Sequence, residues 1–235
     1  MTSLTALIFR YHRPSKFWNF ACGLAWLATV APLVASDSGP PERRVDGSAV
    51  VSERDPAVRI APPKSAQYLG ADRFVLYEIA DCELHVFVEA DNQKTIERLY
   101  WVQFESYLPS RPELHHTYDS PRHASIGGLD FYVDTWMAAK NSKATPGSDR
   151  EHVKSLVQAK GYRMPAEMMV VRLVHLMDEK RKELMIIYAE DLGRTGFKAA
   201  ELEKGGAAHD RWPVLERGLI ESAEKKIAIE RLAPR

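Results

Sequence analysis

MMVVRLVHLM at residues 168–177, DEKRK at 178–182 and ELMIIYAE at 183–190 decide the fold of this 235-residue chain. Two aliphatic, β-branched runs flank a charged connection too short for a parallel crossover, so they must pair as an antiparallel hairpin. Both faces of each run are apolar, which predicts central strands covered on two sides. Arg172 interrupts the face of Val170 and Val174, and His175 lies between Leu173 and Met177. A charge on such a strand needs a partner, and Glu105, Asp134 and Glu190 are the candidates. Anchoring an anionic ligand is the alternative role for Arg172.

Outward from this hairpin the patterns are shorter. Leu129, Phe131, Val133, Thr135 and Met137 share one face of a strand, with Asp130, Tyr132, Asp134 and Trp136 on the other. Gly127-Gly128 precedes it as a flexible start. Ser148 and Glu151 open a helix as N-cap and capping-box partner. Val153, Leu156 and Val157 form its stripe, and Gly161 stops it. Thr95–Tyr107 reads as a long strand with Ile96, Tyr100, Val102 and Phe104 on one side and Leu99, Trp101, Gln103 and Glu105 on the other. Pro109 and Pro112 end it and open a loop over 108–126. Phe74–Ala80 and Glu83–Glu89 are two more strands, as a hairpin or one bent strand. Ala199–Lys204 and Pro213–Ala228 are helical. The order ββββαββα predicts an α+β fold: a mostly antiparallel curved sheet packed against one or two helices on one side. A partly closed barrel is the alternative.

The N-terminal region differs from the rest. Arg10, Arg13 and Lys16 precede an uncharged stretch, FWNFACGLAWLATVAPLVA at 17–35, ending in small residues. This is the pattern of a secretory signal peptide over 1–36, with Val34-Ala35-Ser36 as the cleavage triplet. An uncleaved membrane anchor over 17–35 is the alternative. The expected location is therefore periplasmic or secreted, or anchored facing the periplasm. Residues 37–67, rich in Pro, Ser, Gly and charge, are expected to form a flexible linker, leaving 68–235 as one α+β domain.

The 32 basic and 32 acidic residues balance, which removes the electrostatic case for a nucleic-acid partner. Phosphate-loop, dinucleotide-loop and HExxH or GxSxG signatures are absent from the sequence, and the chain's two cysteines cannot build a cysteine knuckle. Cys82, the one cysteine past the leader, is expected to be a small buried hydrophobe.

Two groups carry candidate chemistry. Trp101, Glu105, Tyr132, Asp134 and Trp136, with Arg172, are candidate ligand-binding residues. If Glu105 and Asp134 met across neighbouring strands, the pair could hold a cation or divide acid and base roles, with flat rings beside it for a small ligand. The competing account makes this face the solvent side of the sheet. His115, His116, Asp119 and His123 offer donors for a divalent metal, although adjacent histidines in an extended segment point apart. No cofactor is otherwise expected. The reading is an exported small-molecule-binding or accessory protein, with a metal-assisted or acid–base hydrolase and an envelope protein-interaction domain as alternatives.

Overall fold

A computed structural model describes residues 39–139 and 145–233. The leader expected at 1–36 lies outside the described residues. In chain order the strands are β1 (Arg44–Asp46), β2 (Ala49–Ser52), β3 (Val58–Ala61), β4 (Gln67–Leu76), β5 (Ala80–Ala90), β6 (Ile96–Tyr107), β7 (Arg122–Ile126) and β8 (Leu129–Ala139). Helix α1 (Asp149–Ala159), β9 (Glu167–Met177), β10 (Lys182–Asp191), α2 (Ala199–Leu202), α3 (Trp212–Lys226) and β11 (Ala228–Arg231) complete the fold.

Seven strands form one antiparallel sheet in the order β4-β5-β6-β10-β9-β8-β7. The β9–β10 hairpin occupies its middle, as the two-sided apolar pattern requires. Leu184, Ile186 and Tyr188 enter one core, while Met185, Ile187 and Ala189 enter the other. The mixed α+β, mostly antiparallel class therefore holds. The sheet does not close into a barrel, and β4 and β7 remain its edges.

The helices do not share one side, contrary to expectation. Val153 and Val157 of α1 pack on one face of the large sheet, and Leu219 and Ala223 of α3 on the other. The α3 face is shared with a second, four-stranded sheet of order β1-β2-β3-β11.

That second sheet corrects the expected linker. Residues 44–61 form three strands with Val50, Val58 and Ile60 buried. Their partner is β11, where Ile229 lies opposite Ile60. Ala228, expected in the last helix, begins that strand instead. Strands of three or four residues among prolines cannot organise alone, and pairing with the distant end of the chain supplies the missing interactions.

Local signals fared better. Ser148 caps α1 by accepting the Glu151 N–H at 3.3 Å, and the Glu151 carboxylate takes the Gly147 N–H at 2.6 Å. Asp91 Oδ1 holds the β5–β6 turn through the N–H groups of Gln93 and Thr95. Residues 74–89 form a hairpin turning at 77–79. The expected loop over 108–126 is shortened by β7.

Gly127 and Gly128 form the two-residue β7–β8 connection with φ of 60° and 77°, values at which a Cβ is disfavoured. A Cβ on Gly127 would also stand 2.2 Å from the Ile229 carbonyl oxygen, whereas one on Gly128 would meet only the Arg231 side chain at 3.3 Å. Gly127→Ala should therefore cost about 2 kcal/mol or more. Gly128→Ala should cost only the backbone strain, about 1 kcal/mol. Urea midpoints check the difference; equal losses would show that the close approach to β11 does not limit this turn.

Candidate functional site

The face of the large sheet beneath α1 is arranged in cross-strand rows. Glu105 of β6 lies opposite Glu183 of β10. The next row runs Gln103, Met185, Val174, Tyr132, and the one after it Trp101, Ile187, Arg172, Asp134. Trp136 lies opposite Val170 one row further on. All six candidate residues, Trp101, Glu105, Tyr132, Asp134, Trp136 and Arg172, thus share one face. It is not a bare solvent face: Trp101 and Gln103 are buried, and Tyr132, Asp134, Trp136 and Arg172 are half-buried.

The expected Glu105–Asp134 pair does not form. β10 and β9 separate their strands, a span of about 14 Å. Asp134 instead binds Arg172, whose Nη2 donates to Oδ2 at 2.6 Å, and accepts from Ser120 Oγ at 2.6 Å. The Arg172 guanidinium lies over the rings of Tyr118, at 4.8 Å, and Trp136, at 5.8 Å. The charge on this strand is thus paired, with one of the three partners expected.

Glu105 has a different carboxylate neighbour. Its residue is half-buried, but the carboxyl group points inward to Glu183, which is buried. Glu105 Oε2 accepts from Gln103 Nε2 at 3.3 Å and lies 3.4 Å from the Cys82 thiol. Gln103 is itself oriented by Trp101 Nε1 at 3.0 Å. Tyr118 donates to Glu183 Oε2 at 2.8 Å.

His116 joins this pair from the connection between β6 and β7. Its ring stacks on Tyr107 with centroids 4.4 Å apart, and its Nδ1 lies 3.0 Å from Glu183 Oε2. Ligand atoms of Glu105, His116 and Glu183 all lie within 4.8 Å of one another. Yet among the described residues neither ring nitrogen of His116 finds a hydrogen bond of good geometry.

The connection is held by the β9–β10 turn. Arg181 donates to the carbonyls of Tyr107, Leu108, Arg111, Pro112 and Leu114. The His116 N–H donates to the Lys180 carbonyl at 2.7 Å.

The other candidate donors do not join His116. His115 is exposed, with Nδ1 3.2 Å from the Glu179 carbonyl. Asp119 is exposed, and His123 lies exposed on β7 beside Tyr132. The adjacent histidines do point apart. Glu183 was missed because it borders the charged turn, although its parity with Met185 and Ile187 marked it in the way Arg172 was marked.

Burial dominates the electrostatics. It raises the Glu105 carboxyl well above the carboxylate range, helped by the charges of Glu183 and Asp149. Burial also raises Glu183, while the Tyr118 hydrogen bond and the Arg172 charge oppose it. The Cys82 thiol is pushed well up by burial and by Glu105. Burial pulls His116 down to about 4 against the neighbouring Arg181 carbonyl, leaving a neutral imidazole, the ligand form.

On the opposite face, Tyr68, His85 and Glu83 form a buried relay. Glu83 is held down at about 2: the hydrogen bonds from His85 and the backbone N–H groups of Glu42 and Arg43 outweigh its burial. His85 Nε2 donates to this carboxylate at 2.9 Å, and Nδ1 lies 3.2 Å from the Tyr68 hydroxyl. A cavity of about 310 Å³ adjoins Glu83 where β5, β6 and β10 meet the 42–55 segment; Glu105 also borders it.

No family model, no curated protein and no solved structure matches this chain. Among the described residues, no helix is long and apolar enough to cross a membrane.

Asp149, buried at the start of α1, gives the site a pH signature. Burial and the Glu183 charge raise its carboxyl to about 6, against the opposing Arg150 N–H and the His152 and Arg172 charges. The fold prefers its neutral form, so its contribution is fully present below a pH of about 4 and lost as pH rises through about 6. Asp149→Asn should be more stable than wild type at pH 8, by up to about 3 kcal/mol, with the gap closing at pH 3. Urea titrations in metal-free buffer at both pH values check this; a gap independent of pH would refute it.

Proposed function

We propose that this chain is an exported accessory protein that binds a small polar molecule in the cavity at the end of the large sheet. The observation that carries the reading is the cavity's polar lining: the carboxylates of Glu42, Asp55, Asp81 and Glu83 and the cations of Arg43, Arg54 and Lys182 border it, with Phe104 as an apolar surface. The four carboxylates outnumber the three lining cations, although Arg73 behind the wall bonds Glu42 and Asp81, and the lining suits a polar ligand that bears an ammonium group. Enclosure by charged side chains and one ring suits recognition of a molecule with several polar groups, since a few placed polar contacts fix orientation.

The basic and then uncharged leader supports export, with a periplasmic or secreted location, or attachment through residues 17–35. The balanced total charge gives no support for nucleic acid as the ligand.

The test is thermal unfolding against a panel of amines, amino acids, sugars and carboxylates. A cationic ligand at a hundred times its Kd should add about 2.7 kcal/mol of stability, a rise in Tm of roughly 5–10 °C for a chain of this size. Asp55→Asn, which removes one half-buried negative wall group paired with Lys182, should weaken the effect. Asparagine tolerates the positive φ of 52° found there. Stabilisation by carboxylates alone, or by no compound in the panel, would overturn the reading.

A further inference from the structure

We propose that Glu105, His116 and Glu183 bind one divalent first-row transition ion of the zinc class. This goes beyond the cavity reading and does not depend on it. Three observations carry it. The first is convergence: two carboxylates from paired central strands and one imidazole from the β6–β7 connection place donor atoms within 4.8 Å of one another. The second is His116 itself, which is 0% exposed while neither ring nitrogen reaches good hydrogen-bond geometry among the described residues, the neighbouring Arg181 carbonyl included. A buried imidazole with neither nitrogen satisfied is costly. Its Nδ1 is 3.0 Å from Glu183 Oε2 without hydrogen-bond geometry, an arrangement suited to two donors that share a third atom.

The third observation is outer support. Tyr118 holds Glu183 at 2.8 Å, and Gln103, itself held by Trp101, bonds Glu105. Metal ligands are oriented by such partners. The backbone of His116 is fixed as well, through its N–H on the Lys180 carbonyl. Two carboxylates balance the charge of a divalent ion. The imidazole favours zinc, cobalt or iron(II) over magnesium and calcium, which take oxygen-rich sets. Three protein ligands leave a coordination position for water or a bound molecule. Glu105 borders both the cluster and the cavity.

The experiment uses the untagged full chain, stripped of metal and titrated with Zn²⁺, Co²⁺, Mg²⁺ and Ca²⁺ by calorimetry, with bound metal quantified. One equivalent of Zn²⁺ should bind, with Co²⁺ giving ligand-field bands and Mg²⁺ and Ca²⁺ binding far more weakly. X-ray absorption should show a nitrogen and oxygen shell near about 2.0–2.2 Å, without sulfur near about 2.3 Å. His116→Asn and Glu183→Gln should lose the site. Tyr118→Phe, which removes only the outer partner, should weaken binding roughly 10–100-fold. Circular dichroism of the metal-free variants separates lost binding from lost folding. If a ligand variant does not fold, the Tyr118→Phe affinity and the wild-type absorption spectrum still decide. No Zn²⁺ binding by the wild type, unchanged binding in folded His116→Asn and Glu183→Gln, or a sulfur shell would overturn the assignment. Repeating the amine panel in chelator separates the two readings: stabilisation that persists there supports the cavity whatever the metal titration shows, and failed Zn²⁺ binding alongside it overturns the metal site alone.

Discussion

The pairing of β6 with β10 is the constraint on which the rest of this molecule depends. It joins the 96–107 strand to the far member of the β9–β10 hairpin, with register from Arg98 opposite Glu190 to Ser106 opposite Lys182. A shift of one residue would move every side chain to the other face. Were β6 the strand to slip, Tyr100, Val102 and Phe104 would leave the core beneath the second sheet, and Glu105 would enter it. The apolar residues on both faces therefore fix the register, and the register fixes the carboxylate pair. Chemistry at this site is a by-product of a packing requirement that admits one alignment.

The turn that closes the hairpin extends the same constraint to His116. Arg181 sits where β10 begins and gathers carbonyls from 107 to 114. A connection with three prolines, Pro109, Pro112 and Pro121, has few internal hydrogen bonds, because proline has no N–H. The guanidinium, with five donors in a fixed fork, gathers these carbonyls, of which those of Leu108 and Arg111 also accept from N–H groups within the connection. The charged run DEKRK, which signals only a turn when taken alone, thus also positions the loop against the sheet. The Arg181 guanidinium thus acts on the cluster by fixing the connection, while the Arg181 carbonyl lies beside the His116 ring.

Much of the large sheet was legible because its signals are local. The β9–β10 hairpin, the alternation of β8, the Ser148 cap and the proline stop after β6 each need only a few neighbouring residues. The second sheet was not legible, because β1–β3 are short and their partner β11 lies more than 160 residues away. Strand order was hidden for the same reason. Parity placed Glu105 and Asp134 on one face correctly, but parity says nothing about how many strands intervene. Two strands do, and the sharper candidate pair became two separate networks: Asp134 with Arg172, and Glu105 with Glu183. The histidines divide in the same way. Sequence could say that His115 and His116 point apart, and only the fold could say which of them faces the carboxylates.

The two networks differ in what burial does to them. Arg172 and Asp134 are opposite charges in contact, with aromatic rings over the guanidinium and Ser120 on the carboxylate. Such an arrangement satisfies both groups where they stand. Glu105 and Glu183 are two facing acidic groups that burial keeps from both ionising, and their other partners are a thiol, an amide, a phenol and a neutral imidazole. None of these four supplies a positive charge. A sheet interior selected only for stability would fill these positions with apolar residues, because buried ionisable groups that repel each other oppose folding. Replacing the pair with leucine or valine would extend the Met185 and Ile187 core to the end of the strand. The sequence forgoes that gain at two facing positions and at His116 together. Three such choices converging on one point are more simply explained by a bound cation than by packing.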